Sequence, residues 1–254
     1  MTIASVLFDL DGTLVDSLPG IQFSSAAACR AVLPGRELPD LRPFIGPPIR
    51  DVFRRVFIDL PPSTLDDLVS HFRQSYDGEG CLKGTVYPGV RETLSGLKDL
   101  GMGCFVVTNK PFEATTNILH HTRLAENFQA VYSPNRKNPP FRSKGEMTAS
   151  LVRDFQLVPA CTILVGDSPE DRTAAQECGI RFVAAAYGYG GIHLHLKGQE
   201  KDVLHSFPDL WRVVRDGKGP WANPSQGTQQ AEGENAESEH LSIRRNPEVK
   251  GRAS

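Results

Sequence analysis

No stretch of the chain approaches the roughly 20 consecutive apolar residues that a membrane-spanning helix needs. Basic charge is not in excess either. The formal net charge is −2, so the electrostatic footprint of a nucleic-acid-binding protein is missing. The cysteines, Cys29, Cys81, Cys104, Cys161 and Cys178, are odd in number and contain no C-x-x-C spacing. That pattern predicts free thiols in a reducing compartment rather than a disulfide framework. The apolar run at the N-terminus is broken at Asp9, too early for a signal peptide. No internal repeat is present. Together these absences predict a soluble cytoplasmic protein with neither nucleic acid nor membrane as partner. At 254 residues and 39% hydrophobic, it can bury a sizeable core, as one domain with a large insertion or as two small ones.

What is present is concentrated first in residues 4–17. Val6-Leu7-Phe8 ends abruptly in Asp9 and Asp11, followed by Gly12 and Thr13. A short apolar run closed by a glycine turn reads as a buried parallel strand. Its carboxyl end is where open α/β sheets place their ligands. Two carboxylates one residue apart repel, which raises the proton affinity of at least one unless a cation compensates. A hard divalent ion with oxygen ligands, Mg2+, suits them. The plainer alternative is an acidic turn after an edge strand.

Residues 17–85 break the strand–helix alternation with helical stretches at 24–33, 49–57 and 63–76, separated by Pro34-Gly35 and Pro61-Pro62. Ser63 is the expected N-cap of the third, with Asp66 three positions on. Tyr87-Pro88-Gly89-Val90 marks the return. A helix ending at Gly101 follows, then a buried strand over 103–107 tipped by Thr108 and Asn109. A helix at 112–121, a strand at 128–132, a Pro- and basic-rich loop at 133–143 and a helix at 144–155 come next. A strand at 162–165 runs into Gly166-Asp167-Ser168-Pro169-Glu170-Asp171, and a helix at 171–178 stopped by Gly179 leads to a strand at 181–186. Leu204, Phe207, Leu210 and Val214 predict a last helix. Alternation of this kind predicts a Rossmann-like, doubly wound parallel sheet covered on both faces, with a small helical domain inserted after the first strand. From Asp216 onward Gly, Pro, Gln, Asn, Glu and Ser dominate, and the tail 216–254 is expected to be disordered.

Three strand tips thus carry polar groups: Asp9 with Asp11, Thr108 with Asn109, and Asp167 with Asp171. In a doubly wound sheet such tips converge on one crevice. Asp9-Leu10-Asp11-Gly12-Thr13 resembles the first motif of the haloacid dehalogenase-like (HAD) hydrolase superfamily. The segments 8–17, Gly46-Pro47-Pro48, 87–90, 106–111 and 165–168 resemble its phosphoglycolate phosphatase group. The likeness spans about residues 4–214.

The resemblance implies a HAD core over 1–16 and 86–215 and a helical cap over 17–85. It implies an Mg2+-dependent phosphatase acting on a small phosphomonoester such as phosphoglycolate. Asp9 would be the nucleophile that forms an aspartyl-phosphate, and Asp11 the acid and then base. Asp9, the backbone carbonyl of Asp11 and Asp167 would hold Mg2+, with Asp171 in support. Thr108, with backbone N–H groups, would bind the phosphoryl oxygens, with Asn109 beside it. A lysine near the start of the helix before the fourth strand is also called for. Lys144 fits, Lys137 and Arg142 compete, and the Lys-Pro-x-Pro run common in close relatives is missing. Asp11 favours phosphoryl transfer over carbon–halogen hydrolysis, which would not call for it. The same superfamily leaves open a phosphosugar mutase, a pyrophosphatase or nucleotidase, and a catalytically inactive binding module.

Other features have plainer readings. Arg50, Arg54 and Arg55 could pair with a substrate carboxylate or form the solvated face of a helix. His193 and His195 would share one strand face as a zinc half-site, but no further ligand lies at matching spacing.

Overall fold

The unbroken apolar run before Asp9 requires a strand buried on both faces. The computed structural model, which describes residues 2–190 and 200–215, has that strand at Ser5–Phe8 (β1), with all its residues buried. After it come Val15–Asp16 (β2), Leu18–Val32 (α1), Ile49–Val56 (α2), Pro62–Gly78 (α3) and Thr85–Val86 (β3). The chain continues through Val90–Asp99 (α4), Gly103–Val107 (β4), Phe112–His121 (α5), Ala130–Tyr132 (β5) and Lys144–Asp154 (α6). It closes with Thr162–Gly166 (β6), Pro169–Glu177 (α7), Arg181–Ala185 (β7), Val203–Leu204 (β8) and Leu210–Arg215 (α8).

Six strands form one parallel sheet in the order β5-β4-β1-β6-β7-β8. β1 is central, and Phe8 is in register with Val106 of β4 on one side and Val165 of β6 on the other. The three strand ends are therefore neighbours, and the order reverses beside them, which opens a crevice. Side chains alternate between the two faces. Val6, Phe8, Val106 and Val165 join one apolar cluster, while Leu7, Phe105, Val107 and Leu164 join the other with Met147 and Leu151 of α6 and Ala174 of α7. Phe8 stacks on Phe207 at 5.7 Å between ring centroids. The expected α/β architecture is the observed one.

The helices α1, α2 and α3 lie between β2 and β3. These two short strands pair antiparallel, Val15 with Val86 and Asp16 with Thr85, so the chain leaves and re-enters the sheet at adjacent positions. α1 packs along α3. Phe53 of α2 meets Phe72 of α3 edge-on at 6.0 Å, and Phe72 stacks on Tyr76 at 5.0 Å.

Elements between residues 100 and 186 lie within two residues of their expected positions, and three departures fall outside that range. α1 starts at Leu18 rather than residue 24, through Pro19 and Gly20. Gly20 is required there because a Cβ would overlap the Gly80 carbonyl. α3 starts at Pro62, a favoured first helical residue, with Pro61 and not Ser63 at the N-cap. Asp66 accordingly makes no capping box and pairs with Arg50. Leu204 belongs to the edge strand β8, paired with Ala185, rather than to the last helix, which begins at Leu210. No helix among the described residues is long and apolar enough to cross a membrane. His193, His195 and the tail from 216 lie outside the described residues.

Candidate active site

Asp9 follows the last residue of β1, its N–H donating to the Val165 carbonyl at 2.9 Å. The sheet thereby fixes its backbone while its carboxylate faces the crevice, only 6% exposed. Thr108 sits at the end of β4, its N–H bound to the Tyr132 carbonyl at 3.0 Å and its hydroxyl accepting the N–H of Lys110 at 3.2 Å. Asn109 turns its side-chain amide to Glu170. Asp167 follows β6 and is buried. Its Oδ2 accepts N–H groups of Tyr189 at 2.7 Å and Gly190 at 3.2 Å. Gly12, at φ +80°, leaves room for this carboxylate, since any Cβ there would overlap Asp167.

Lys144 opens α6 directly after Ser143, whose hydroxyl accepts the Glu146 N–H at 3.1 Å. It is buried, and its ammonium lies 2.7 Å from Asp9 Oδ1 and 2.5 Å from Asp171 Oδ1. Lys137 and Arg142 do not reach the crevice; both pair with Glu146 at the surface. Asp171 does two things. Its Oδ2 accepts the Ser168 N–H at 3.0 Å and the Ser168 hydroxyl at 2.6 Å, closing the capping box of α7, while its Oδ1 meets Lys144.

Burial shapes the proton affinities. Desolvation holds Asp9 well above the ordinary carboxylate range against the pull of Lys144, and Asp171, Asp167 and Asp11 add to the rise. Desolvation and then Asp171 push Asp167 up to about 7, opposed by its two backbone donors. Burial alone would lower Lys144, but Asp171 and Asp9 outweigh it and raise its pKa, so it stays an ammonium.

The donor set suits a divalent cation. One oxygen each from Asp9, Asp167 and Asp171 lies within 4.8 Å of the others. Among the described residues, these three and Asp11 are four carboxylates against two ammoniums, Lys144 and Lys110; with every acid ionised the site would carry two excess negative charges, which a divalent cation would offset. Oxygen-only ligands are those of a hard ion.

Lys110 is a site residue that the strand-tip reading passed over. It is buried at the end of β4, with its ammonium 3.0 Å from Asp11 Oδ2 and 2.8 Å from the Tyr76 hydroxyl of α3. The available signal was a cation in Thr108-Asn109-Lys110, at the tip of a strand whose other tips are acidic. Tyr189 was also missed. Its hydroxyl donates to Asp16 Oδ1 at 2.7 Å and accepts the Leu18 N–H at 2.9 Å.

A cavity of about 790 Å³ opens over Asp9, Asp11, Thr108 and Lys110. Its far wall comes from the helical segment, including Ile49, Val52, Val69, Phe72 and Tyr76. Arg50 also lines it, while Arg54 is turned to solvent and pairs with Asp51 at 3.0 Å. Lys144, Asp167 and Asp171 stand behind Asp9 rather than in the cavity wall.

A doubly wound α/β domain with an acidic crevice at the ends of its three central strands defines the class of protein. Residues 6–185 match the family described as haloacid dehalogenase-like hydrolase, and the chain belongs to that family. Among curated relatives, a phosphoglycolate phosphatase from Vibrio vulnificus is 30% identical over 221 residues, covering 82% of this chain and 95% of its own. A 5'-nucleotidase from Pseudomonas aeruginosa is 28% identical over 187 residues, covering 73% of this chain and 84% of its own. The crystal structure of a Haemophilus somnus protein, described as a predicted phosphoglycolate phosphatase, superposes with a TM-score of 0.76 at 26% identity. It covers 84% of this chain and 99% of the other.

Proposed function

We propose that the chain is an Mg2+-dependent phosphatase that hydrolyses a small phosphomonoester, phosphoglycolate or a close analogue, through an aspartyl-phosphate on Asp9. The reading extends to the cytoplasm as its place of action. Residues 1–16 and 86–215 act as the core and 17–85 as a helical cap over the cavity. The observation that carries the proposal is the buried contact of Lys144 with both Asp9 and Asp171, beside Asp11, Thr108 and Asp167.

In the first transfer a carboxylate oxygen of Asp9 attacks phosphorus. The P–O bond to the alcohol breaks, its electron pair goes to the ester oxygen, and Asp11 supplies the proton. In the second, Asp11 takes a proton from water, the water oxygen attacks phosphorus, and the acyl-phosphate bond returns its electrons to Asp9. Lys144 orients Asp9 and neutralises it, while Thr108 and backbone N–H groups hold phosphoryl oxygens. Mg2+, held by Asp9, Asp167 and the Asp11 carbonyl with Asp171 in support, would offset the repulsion between an anionic nucleophile and an anionic ester.

A nucleoside monophosphate is a second substrate for the same chemistry, favoured by the cavity volume and its Phe72 and Tyr76 wall. The test is phosphate release with Mg2+ from a panel of phosphomonoesters that includes phosphoglycolate and nucleoside monophosphates, beside Asp9→Asn. Release on one class of ester that vanishes in Asp9→Asn and in chelator supports the proposal. No release from folded protein with Mg2+ refutes it, and release that survives Asp9→Asn removes Asp9 as nucleophile.

A further inference from the structure

Lys110 holds an unusual position. A buried lysine is tolerated only when its charge is paired and hydrogen-bonded. Here the partners come from two separate segments, Asp11 Oδ2 at 3.0 Å from the loop after β1 and the Tyr76 hydroxyl at 2.8 Å from α3. The ammonium also lies 4.6 Å from the centroid of the Tyr76 ring, within cation–π range. Its own backbone is fixed by the N–H bond to the Thr108 hydroxyl. One three-residue strand tip thus carries both the proposed phosphoryl-binding group and the cation that grips Asp11.

The consequence falls on Asp11. Its Oδ2 is taken by Lys110, while its Oδ1 is buried without a hydrogen-bond partner and the side chain lines the cavity. A carboxyl free to rotate would offer the departing alcohol either oxygen in many orientations. Gripped at Oδ2, it offers one.

Resting on the phosphatase reading, we infer that Lys110 is a positioning residue which holds Asp11 by Oδ2, so that Oδ1 faces the ester oxygen. Tyr76 of α3 steadies Lys110 in turn. The proton moves from Asp11 Oδ1 to the ester oxygen as the P–O bond breaks, and Lys110 keeps all its own protons throughout. Burial opposes charge on Lys110, but Asp11 and Tyr76 raise its pKa and keep it an ammonium.

A cation that merely neutralised Asp11 would slow all esters alike. A positioning role predicts dependence on the leaving group, because an alkoxide needs the proton and a nitrophenolate hardly does. The experiment compares kcat/KM for glycerol phosphate and p-nitrophenyl phosphate in wild type, Lys110→Met and Tyr76→Phe. This ratio reports the first transfer, before Asp11 acts on water. Positioned general acids contribute about 10²–10⁴-fold. Lys110→Met should lower the glycerol phosphate value by about 10²-fold or more, and the p-nitrophenyl phosphate value by at least tenfold less. Tyr76→Phe, which keeps the ion pair, should shift the same ratio in the same direction by a smaller factor. It carries the test alone if Lys110→Met does not fold. Equal losses on the two esters in the folded variants overturn the inference and leave the phosphatase reading standing. If wild type hydrolyses no ester in an Asp9-dependent way, that reading fails and this one with it.

Discussion

Replacing Lys144 by Met should destabilise the metal-free protein far more at pH 8 than at pH 5. The ammonium sits between Asp9 and Asp171, and all three groups are buried. Removing one member of a buried pair leaves uncompensated charge and costs about 3–5 kcal/mol. For a domain of this size that corresponds to about 6–20 °C in the unfolding midpoint. The sign of the pH dependence follows from Asp9. Burial already holds its folded pKa above the unfolded value of 3.8, and Lys144 is the cation that lowers it. Without Lys144 it rises further, so the folded state binds more protons than the unfolded one across that interval. Stability then falls as pH climbs from the unfolded value through the folded one. Lys144 itself is raised, and its contribution is complete below the unfolded value of 10.5, so it adds no slope between pH 5 and 8. The assay is urea or thermal unfolding of both proteins in chelator at the two pH values. Equal losses at pH 5 and pH 8, or a loss under about 1 kcal/mol, would refute the buried-network reasoning.

Asp167 is pushed up to about 7, so on the proposed reading an Mg2+ held there would displace a proton below that value, and calorimetric affinity should strengthen from pH 5 to pH 8; a flat profile counts against Asp167 as a ligand. Gly12→Ala forces a methyl group into the Asp167 carboxylate at φ +80° and should abolish thermal stabilisation by Mg2+, whereas a wild-type response would mean the loop shifts freely. Phe207→Ala removes a ring that is 1% exposed and stacked on Phe8; it should cost about 3–5 kcal/mol in chemical denaturation, and under about 1 kcal/mol would contradict the packing.

The sheet was legible because its strands are apolar runs that stop at charged or hydroxyl residues. Val6-Leu7-Phe8 against Asp9, and Thr162-Ile163-Leu164-Val165 against Asp167, need no tertiary information to be read. Choosing among Lys144, Lys137 and Arg142 did need it. Glu146, one turn into α6, gathers the other two cations at the surface, and nothing in the spacing of residues 137–146 says so. The start of α1 was hidden by Pro19 and Gly20, which read as breakers; Pro19 fits the first helical turn, and Gly20 allows the close approach to Gly80. A two-residue strand such as β8 has no periodicity to detect, and Leu204 was assigned by the helical spacing of its neighbours instead. Lys110 and Tyr76 are 34 positions apart, and only the fold puts their polar atoms together.

The ribbon of β2 and β3 has a further consequence. Asp16 and Thr85 are direct partners, so everything between them is, in topological terms, the loop of a β-hairpin. The entropy of closing a loop grows only logarithmically with its length, about 0.6 kcal/mol for each doubling. The sheet therefore places almost no demand on the size of what is carried there. A short turn or another helical module could span the same two residues, which makes this junction a socket at which the inserted segment can be exchanged while the strand ends stay as they are.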